Sequence, residues 1–265
     1  MKDQSLNFYA IQHGLKEFQD SNFPHDDEAL VPSNHRHNLD GTGSSRDLSA
    51  IVDNSSRGPL EWTQSIDLRH RKGASLFGSS DSFGDSTDIY QGLIGNCWFM
   101  HGASAVAREP QRLRDIFYND DLSNRGVYAL RFYVLGIPTT IIIDDWVPLN
   151  KFGGTVFAGV DYEDPALWGI LIEKAFAKLH GNWEAIIAGD PRHSINVLTG
   201  APAENYYHGS CPAGNLVEGK CLTGEVLDES TVFSTIKNAL DNGNMVSGST
   251  PSDSDNSNTS ALGVV

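Results

Sequence analysis

The sequence predicts a fold that contains both helices and strands, because β-prone and helix-prone segments occupy separate stretches of the chain. Two runs rich in β-branched and aromatic residues, 127–135 and 139–143, are separated by the turn-forming residues Gly136-Ile137-Pro138. We expect these runs to pair as antiparallel strands. Segments on both sides of the pair show the composition and periodicity of helices. The 265 residues suffice for one large domain or two small ones with a sizeable core.

Two helices are predicted ahead of the strand pair. The stretch from Cys97 to about Arg108 is apolar and rich in alanine, which is typical of a buried helix, and a proline follows it. A shorter helix is predicted at 111–118. Further upstream, apolar residues recur at helical spacing within residues 1–20, whereas the polar composition of 33–57 is typical of a flexible insert or long surface loop.

Two more helices are predicted after the strand pair. Asp164 as N-cap and Pro165 at the first helical position mark the start of one, and Gly181 marks its end. The last predicted helix covers 232–240. It is followed by a low-complexity loop at 247–257.

The run from Gln91 to Cys97 is the segment most indicative of chemistry. Gly92 and Gly95 permit a tight turn, and Cys97 stands in the first turn of a predicted helix. The partial positive charge of a helix N-terminus favours thiolate over thiol and so creates a nucleophile. Gln91 can aim an amide N–H at the oxygen that becomes negative when a thiolate attacks a carbonyl. A small buried cysteine under a glycine turn is the alternative, and the spacing favours the nucleophile.

This motif resembles the catalytic-cysteine segment of the calpain family, the cytosolic papain-like cysteine proteases. The resemblance implies a papain-like α+β fold and a cysteine-type endopeptidase that performs limited proteolysis of protein or peptide substrates. Cys97 would be the nucleophile and Gln91 part of the oxyanion hole. Other segments that resemble the family are Phe18–Pro24, Glu61-Trp62, Asp88-Ile89-Tyr90, Ile143–Leu149, Leu167–Gly181, Asn182–Ala185 and Leu198-Thr199-Gly200.

The resemblance also implies a histidine base and an asparagine that orients it, in Gly-His-Ala-Tyr and Asn-Pro-Trp settings. Neither string occurs in the sequence. The segment Ala261–Val265 resembles the approach to that histidine, so we expect a catalytic core that stops just before it and is nearly inactive alone. The alternative function is a catalytically inactive calpain-like module that binds peptides or regulates. Peptide binding without turnover would favour that alternative.

The resemblance divides the chain into three parts. Residues 1–60 form a lead-in with the flexible insert, 61–200 form the first protease subdomain with Cys97, and 201–265 begin a second subdomain. The boundary falls at Thr199-Gly200-Ala201, where the family has Thr-Gly-Gly. Alanine at the third position predicts a stiffer hinge.

Two further site residues come from the resemblance. Asp88, nine residues before Cys97, matches an aspartate of the family's calcium site, and carboxylate oxygens suit calcium. Ala166 occupies the position of the family's glutamate, so a calcium site and an acidic surface loop both stay open. Gly189 matches a glycine whose backbone pairs with bound peptide, which requires close approach to the main chain. A plain turn glycine is the alternative there.

Composition excludes several classes of partner. The net charge of −15 argues against nucleic acid and against an anionic membrane surface. The sequence shows no signal peptide, no stretch that approaches a membrane span and no dinucleotide fingerprint, so we expect a cytoplasmic protein without an organic cofactor. Cys211 and Cys221 could bridge a short loop, but reduced thiols are expected in the cytosol.

Overall fold

The structure is a computed structural model, and it describes ten stretches of the chain. They are residues 17–31, 60–64, 74–78, 89–150, 152–159, 166–208, 210–211, 215–217, 220–222 and 224–248. Most of the predicted N-terminal amphipathic stretch, the whole insert at 33–57 and most of the low-complexity loop lie outside these residues. The chain divides into two compact units, Met1–Glu204 and Asn205–Val265.

The first unit mixes helices with two antiparallel strand pairs, in which β2 pairs with β3 and β1 pairs with β4. Within the described residues, its α-helices and strands in chain order are α1 (Asp27–Leu30), β1 (Glu61–Gln64), α2 (Cys97–Ala107), α3 (Pro110–Ile116), β2 (Val127–Val134), β3 (Ile137–Asp144), β4 (Trp146–Leu149), α4 (Trp168–His180) and α5 (Pro191–Thr199). A 3₁₀ turn, Glu184–Ile186, lies between α4 and α5. The predicted α+β character and the two helices ahead of β2 are confirmed.

The predicted strand pair is confirmed, but its turn is shorter than expected. The register places Val134 directly opposite Ile137. The turn is therefore Leu135-Gly136, and both residues have positive φ, 51° and 78°. Such a backbone is typical of the two-residue turns that match the twist of a hairpin. The assignment of Ile137 and Pro138 to the turn was wrong, because the paired run extends to the turn and a proline is tolerated at a sheet edge.

Helix α4 runs through the centre of the first unit. Every residue from Trp168 to Ala177 is buried, and Gly181 ends the helix at a φ of 102°, as predicted. The predicted start at Asp164-Pro165, which lies outside the described residues, was wrong. The backbone N–H of Leu167 donates to the Ser75 carbonyl at 3.1 Å, so the chain is still paired with another segment there and turns helical only afterwards.

Helix α2 packs against α4 and α5, and this packing positions its first residue. The Phe99 ring stacks on Phe176 of α4 with ring centroids 3.9 Å apart. A Cβ atom at Gly102 would lie 2.0 Å from Ser194 Oγ, so only glycine lets α2 approach α5 this closely. Each large apolar side chain buried here contributes about 1.5–3 kcal/mol.

The described residues of the second unit form short strands and one longer helix. They are β5 (Tyr206–His208), β6 (Leu216–Val217), β7 (Lys220–Cys221), β8 (Glu225–Leu227) and α6 (Glu229–Asp241). The helix predicted at 232–240 is confirmed and begins earlier, because the Asp228 side chain caps it by accepting from the backbone N–H of Thr231. No helix in the described part of the chain is long and apolar enough to cross a membrane.

Cys211 and Cys221 form a disulfide, so the prediction of reduced thiols was wrong. The fold brings their Cα atoms to 5.6 Å, which is within the range that a disulfide spans. Composition could not show this proximity, because it depends on how the short strands of the second unit fold back on the chain.

Candidate active site

Cys97 is the first residue of α2, and its side chain is exposed and not part of a disulfide. The predicted helix start is thus confirmed at this residue. Behind Cys97, the α2 residues Trp98, Phe99 and Met100 are buried. The thiol therefore stands at the positive end of a helix that the core holds in place.

The loop ahead of Cys97 is held by contacts with the segment at 156–159. The backbone N–H of Leu93 donates to the Val156 carbonyl at 2.9 Å, and Gly159 donates to Tyr90 at 2.8 Å. A Cβ atom at Gly92 would lie 2.0 Å from the Phe157 carbonyl oxygen. Glycine at this position is therefore required by close backbone approach rather than by an unusual φ angle.

Gln91 is exposed and lies at the start of this loop. Its Nε2 donates to the Ile94 carbonyl at 2.7 Å, which holds the side chain folded over the turn that leads to Cys97. An amide nitrogen carries two hydrogens, and this bond uses one of them. The other hydrogen is available for a further acceptor.

The segment that contains Gly189 is tied to the Cys97 region by two hydrogen bonds. Trp98 Nε1 donates to the Ile186 carbonyl at 3.0 Å, and the Ala188 N–H donates to Gly95 at 2.9 Å. A Cβ atom at Gly189 would lie 2.4 Å from the Trp98 ring. Gly189 is exposed, so its backbone lies open to solvent directly above the side chain that follows the cysteine.

Asn96, the residue before Cys97, is fully buried and bound to a buried carboxylate. Its Nδ2 donates to Glu173 Oε1 at 2.6 Å, and the Ala158 N–H donates to Glu173 Oε2 at 2.8 Å. Glu173 therefore links the start of α2 to the segment that holds the Cys97 loop. Burial raises the pKa of Glu173 to about 7, against the opposing effect of the hydrogen bonds from Ala158 and Asn96.

A second buried charge follows on the same helix. Lys174 Nζ bonds to Asp144 and donates to the Trp146 carbonyl at 2.5 Å. Asp144 also accepts the backbone N–H of Asp20 at 2.8 Å. Burial lowers the pKa of Lys174, while the neighbouring Asp144 acts in the opposite direction. One of the two aspartates of the Ile143–Leu149 segment thus anchors β3 and β4 to α4.

The structure brings some predicted site residues together and does not describe others. Cys97, Gln91 and Gly189 all lie on or beside the loop and helix start described above. Asp88 lies outside the described residues. Within the described part of the chain, no histidine is hydrogen-bonded to the Cys97 thiol, and no group of three or more His, Cys, Asp or Glu side chains is arranged to hold a metal ion.

Glu173 was not among the predicted site residues. Its segment was predicted to be a helix, and no role was assigned to the glutamate itself. A signal was present, because Glu173 and Lys174 stand next to each other inside a segment otherwise rich in Leu, Ile, Ala and Phe. Charged residues in such a run are buried only when they are paired or hydrogen-bonded, so their presence indicates partners elsewhere in the fold.

Comparison with known proteins agrees with this architecture. Residues 18–265 match the calpain family cysteine protease model. The calpain-type cysteine protease ADL1 of Oryza sativa subsp. japonica is 30% identical over 206 residues, which cover 76% of this chain and 9% of that protein. Human calpain-14 is 30% identical over 152 residues, 56% of this chain and 21% of that protein. The chain thus spans a small part of these relatives' length, and it belongs to the calpain family of cysteine proteases.

Proposed function

We propose that this chain carries the nucleophile of a calpain-type cysteine endopeptidase that cleaves protein or peptide substrates. The observation that supports the proposal is an exposed Cys97 thiol at the N-terminus of a buried helix. The loop before the thiol and the Gly189 segment beside it are both held by backbone hydrogen bonds. A nucleophile so placed needs little reorganisation before it attacks.

In the proposed reaction, the Cys97 thiolate attacks the scissile carbonyl carbon and forms a tetrahedral intermediate. The negative oxygen accepts hydrogen bonds from the Cys97 backbone N–H and from the second Nε2 hydrogen of Gln91. Collapse expels the amine and leaves a thioester, which water then hydrolyses. Protonation of the amine and activation of the water require a histidine base and an orienting asparagine, and we assign these roles to no residue of this chain.

The exposed backbone at Gly189 is the proposed contact for the substrate strand. Any side chain at this position would collide with Trp98, so the main chain stays uncovered. An extended peptide can then pair with the backbone, which gives recognition that depends weakly on substrate sequence.

Calcium and cellular location belong to the proposal as well. Asp88 would contribute carboxylate oxygens to a calcium site, and equilibrium dialysis with and without an Asp88→Asn substitution tests this. We propose a cytoplasmic location, where the Cys211–Cys221 disulfide is an exception to the reduced thiols that are usual there. The acidic net charge supports protein rather than nucleic-acid partners.

The direct test is covalent labelling followed by peptide hydrolysis. A peptidyl epoxide, which needs both a thiolate and a peptide-binding surface, should modify Cys97, as read by mass spectrometry, and Cys97→Ser should abolish labelling. In a form of the protein that hydrolyses peptides, Cys97→Ser should remove activity and Gln91→Ala should lower kcat by roughly 10²–10³-fold. Hydrolysis that persists in Cys97→Ser would refute the assignment. Specific peptide binding without any turnover would support the inactive-module alternative.

A further inference from the structure

Two histidines that the proposed protease chemistry does not use lie against each other. His180 is the last residue of α4, and His193 lies in the first turn of α5. Both are exposed at the surface of the first unit. Their Nε2 atoms are 3.4 Å apart, and their rings are perpendicular with centroids 5.5 Å apart.

This separation matches the distance between two imidazole ligands of one metal ion. Zinc binds histidine nitrogen at about 2.0–2.1 Å with tetrahedral geometry, which places two such nitrogens about 3.3–3.4 Å apart. The χ2 torsion of histidine has a broad energy well, so the ring of His193 can turn toward an ion shared with His180.

The hydrogen bonding of His180 prepares its Nε2 for a metal. The Nδ1 atom lies 2.9 Å from the Phe176 carbonyl oxygen, which can only accept, so Nδ1 carries the proton. With the proton on Nδ1, the other ring nitrogen, Nε2, is the one that faces His193. A backbone carbonyl bound to the far nitrogen is the arrangement that fixes metal-ligating histidines in proteins.

The surroundings of His193 favour the neutral ring that a metal needs. Its ring stacks against Trp98 with centroids 6.0 Å apart and an interplanar angle of 24°. Partial burial lowers the pKa of His193 and the nearby His180 lowers it further, while Asp190 acts in the opposite direction. The Asp190 carboxylate acts on His193 electrostatically, and it is itself paired with Arg192.

We propose that His180 and His193 form a two-histidine site for a divalent transition-metal ion such as Zn²⁺ or Cu²⁺, with water completing the coordination. The site does not use the Cys97 thiol and does not depend on the protease assignment. No third His, Cys, Asp or Glu joins the pair within the described residues, so water occupies the other coordination positions. Imidazole ligands suit Cu²⁺ and Zn²⁺, and Cu²⁺ should bind more tightly of the two.

The test is metal titration of the 265-residue chain with Cys97 alkylated, so that its thiol cannot bind the ion. Calorimetry with Zn²⁺ at pH 7.5 should show one site, and His180→Ala and His193→Ala should each weaken it at least tenfold. Loss of an outer hydrogen-bond partner alone costs metal sites about 10–100-fold, and loss of a direct ligand should cost no less. His35 and His37 lie two positions apart in the sequence, so a His35→Ala/His37→Ala variant is the control and should bind as the wild type does.

Electron paramagnetic resonance of bound Cu²⁺ gives a second measurement. The wild type should show coupling to two imidazole nitrogens, and His180→Ala should show coupling to one. His180 is exposed, so its loss should leave the fold intact, which circular dichroism checks. Unchanged Zn²⁺ affinity in both single variants would overturn the proposal, as would loss of binding only in the His35/His37 variant.

Discussion

Replacement of Glu173 by Gln tests whether the buried carboxylate behind Cys97 costs stability when it ionises. Burial raises the pKa of Glu173 from 4.5 to about 7. Because one pKa unit corresponds to about 1.4 kcal/mol, ionisation of Glu173 costs the folded state about 3 kcal/mol relative to the unfolded chain. Gln keeps the shape of the side chain but cannot ionise.

The direction of the pH effect follows from proton binding. Between about pH 4.5 and pH 7 the folded chain holds a proton on Glu173 that the unfolded chain has released. The stabilising contribution of this proton is complete below about pH 4.5 and is lost as the pH rises through about 7. We therefore expect the free energy of unfolding of the wild type to fall by about 2–3 kcal/mol more than that of Glu173→Gln between pH 5 and pH 8.

Urea unfolding followed by tryptophan fluorescence at both pH values measures this difference. Other titrating groups, including Lys174, are present in both proteins and cancel in the comparison. Glu109→Gln removes an exposed carboxyl and serves as the matched control, which should follow the wild type. If the wild type and Glu173→Gln show parallel pH profiles, ionisation of Glu173 is not costly and the reasoning from burial is refuted.

Three other predictions concern packing, buried charge and redox state. Gly189→Ala should lower the free energy of unfolding by about 1–3 kcal/mol, because the new Cβ would lie 2.4 Å from Trp98, and an unchanged urea midpoint would contradict the packing. Lys174→Met should destabilise by about 3–5 kcal/mol by leaving the buried Asp144 charge unpaired, and urea titration should show a loss well above 1 kcal/mol. Thiol titration of the denatured chain should count one thiol before reduction and three after, and three before reduction would contradict the Cys211–Cys221 disulfide.

The parts of the fold that the sequence predicted are those with local causes. The β2–β3 pair follows from two β-branched runs separated by a glycine turn, and the start of α2 at Cys97 follows from a polar turn that meets an apolar run. The start of α4 was misplaced because Asp164-Pro165 is a good local start signal, whereas the pairing of Leu167 with Ser75 depends on a distant segment. A start signal formed by neighbouring residues carries no information about a pairing with a distant segment.

The site shows the same division between local and distant causes. Gln91, Gly92 and Cys97 lie within one short loop, so their spacing already indicates a turn with an exposed thiol. The bond between Asn96 and Glu173 joins residues 77 positions apart. Nothing in the sequence indicates this pairing except that a glutamate stands inside an apolar helix.

The Asn96–Glu173 pair explains why a neutral residue suits the position before the cysteine in this chain. An aspartate at this position would place a second carboxylate within hydrogen-bond distance of Glu173 Oε1. Two buried carboxylates at 2.6 Å cannot both ionise, whereas the asparagine amide supplies the hydrogen that Oε1 accepts. Glu173 can then accept one hydrogen bond from each side, which holds the start of α2 against the Ala158 segment. Asparagine at 96 and glutamate at 173 are therefore matched to each other, and the position of Cys97 depends on both.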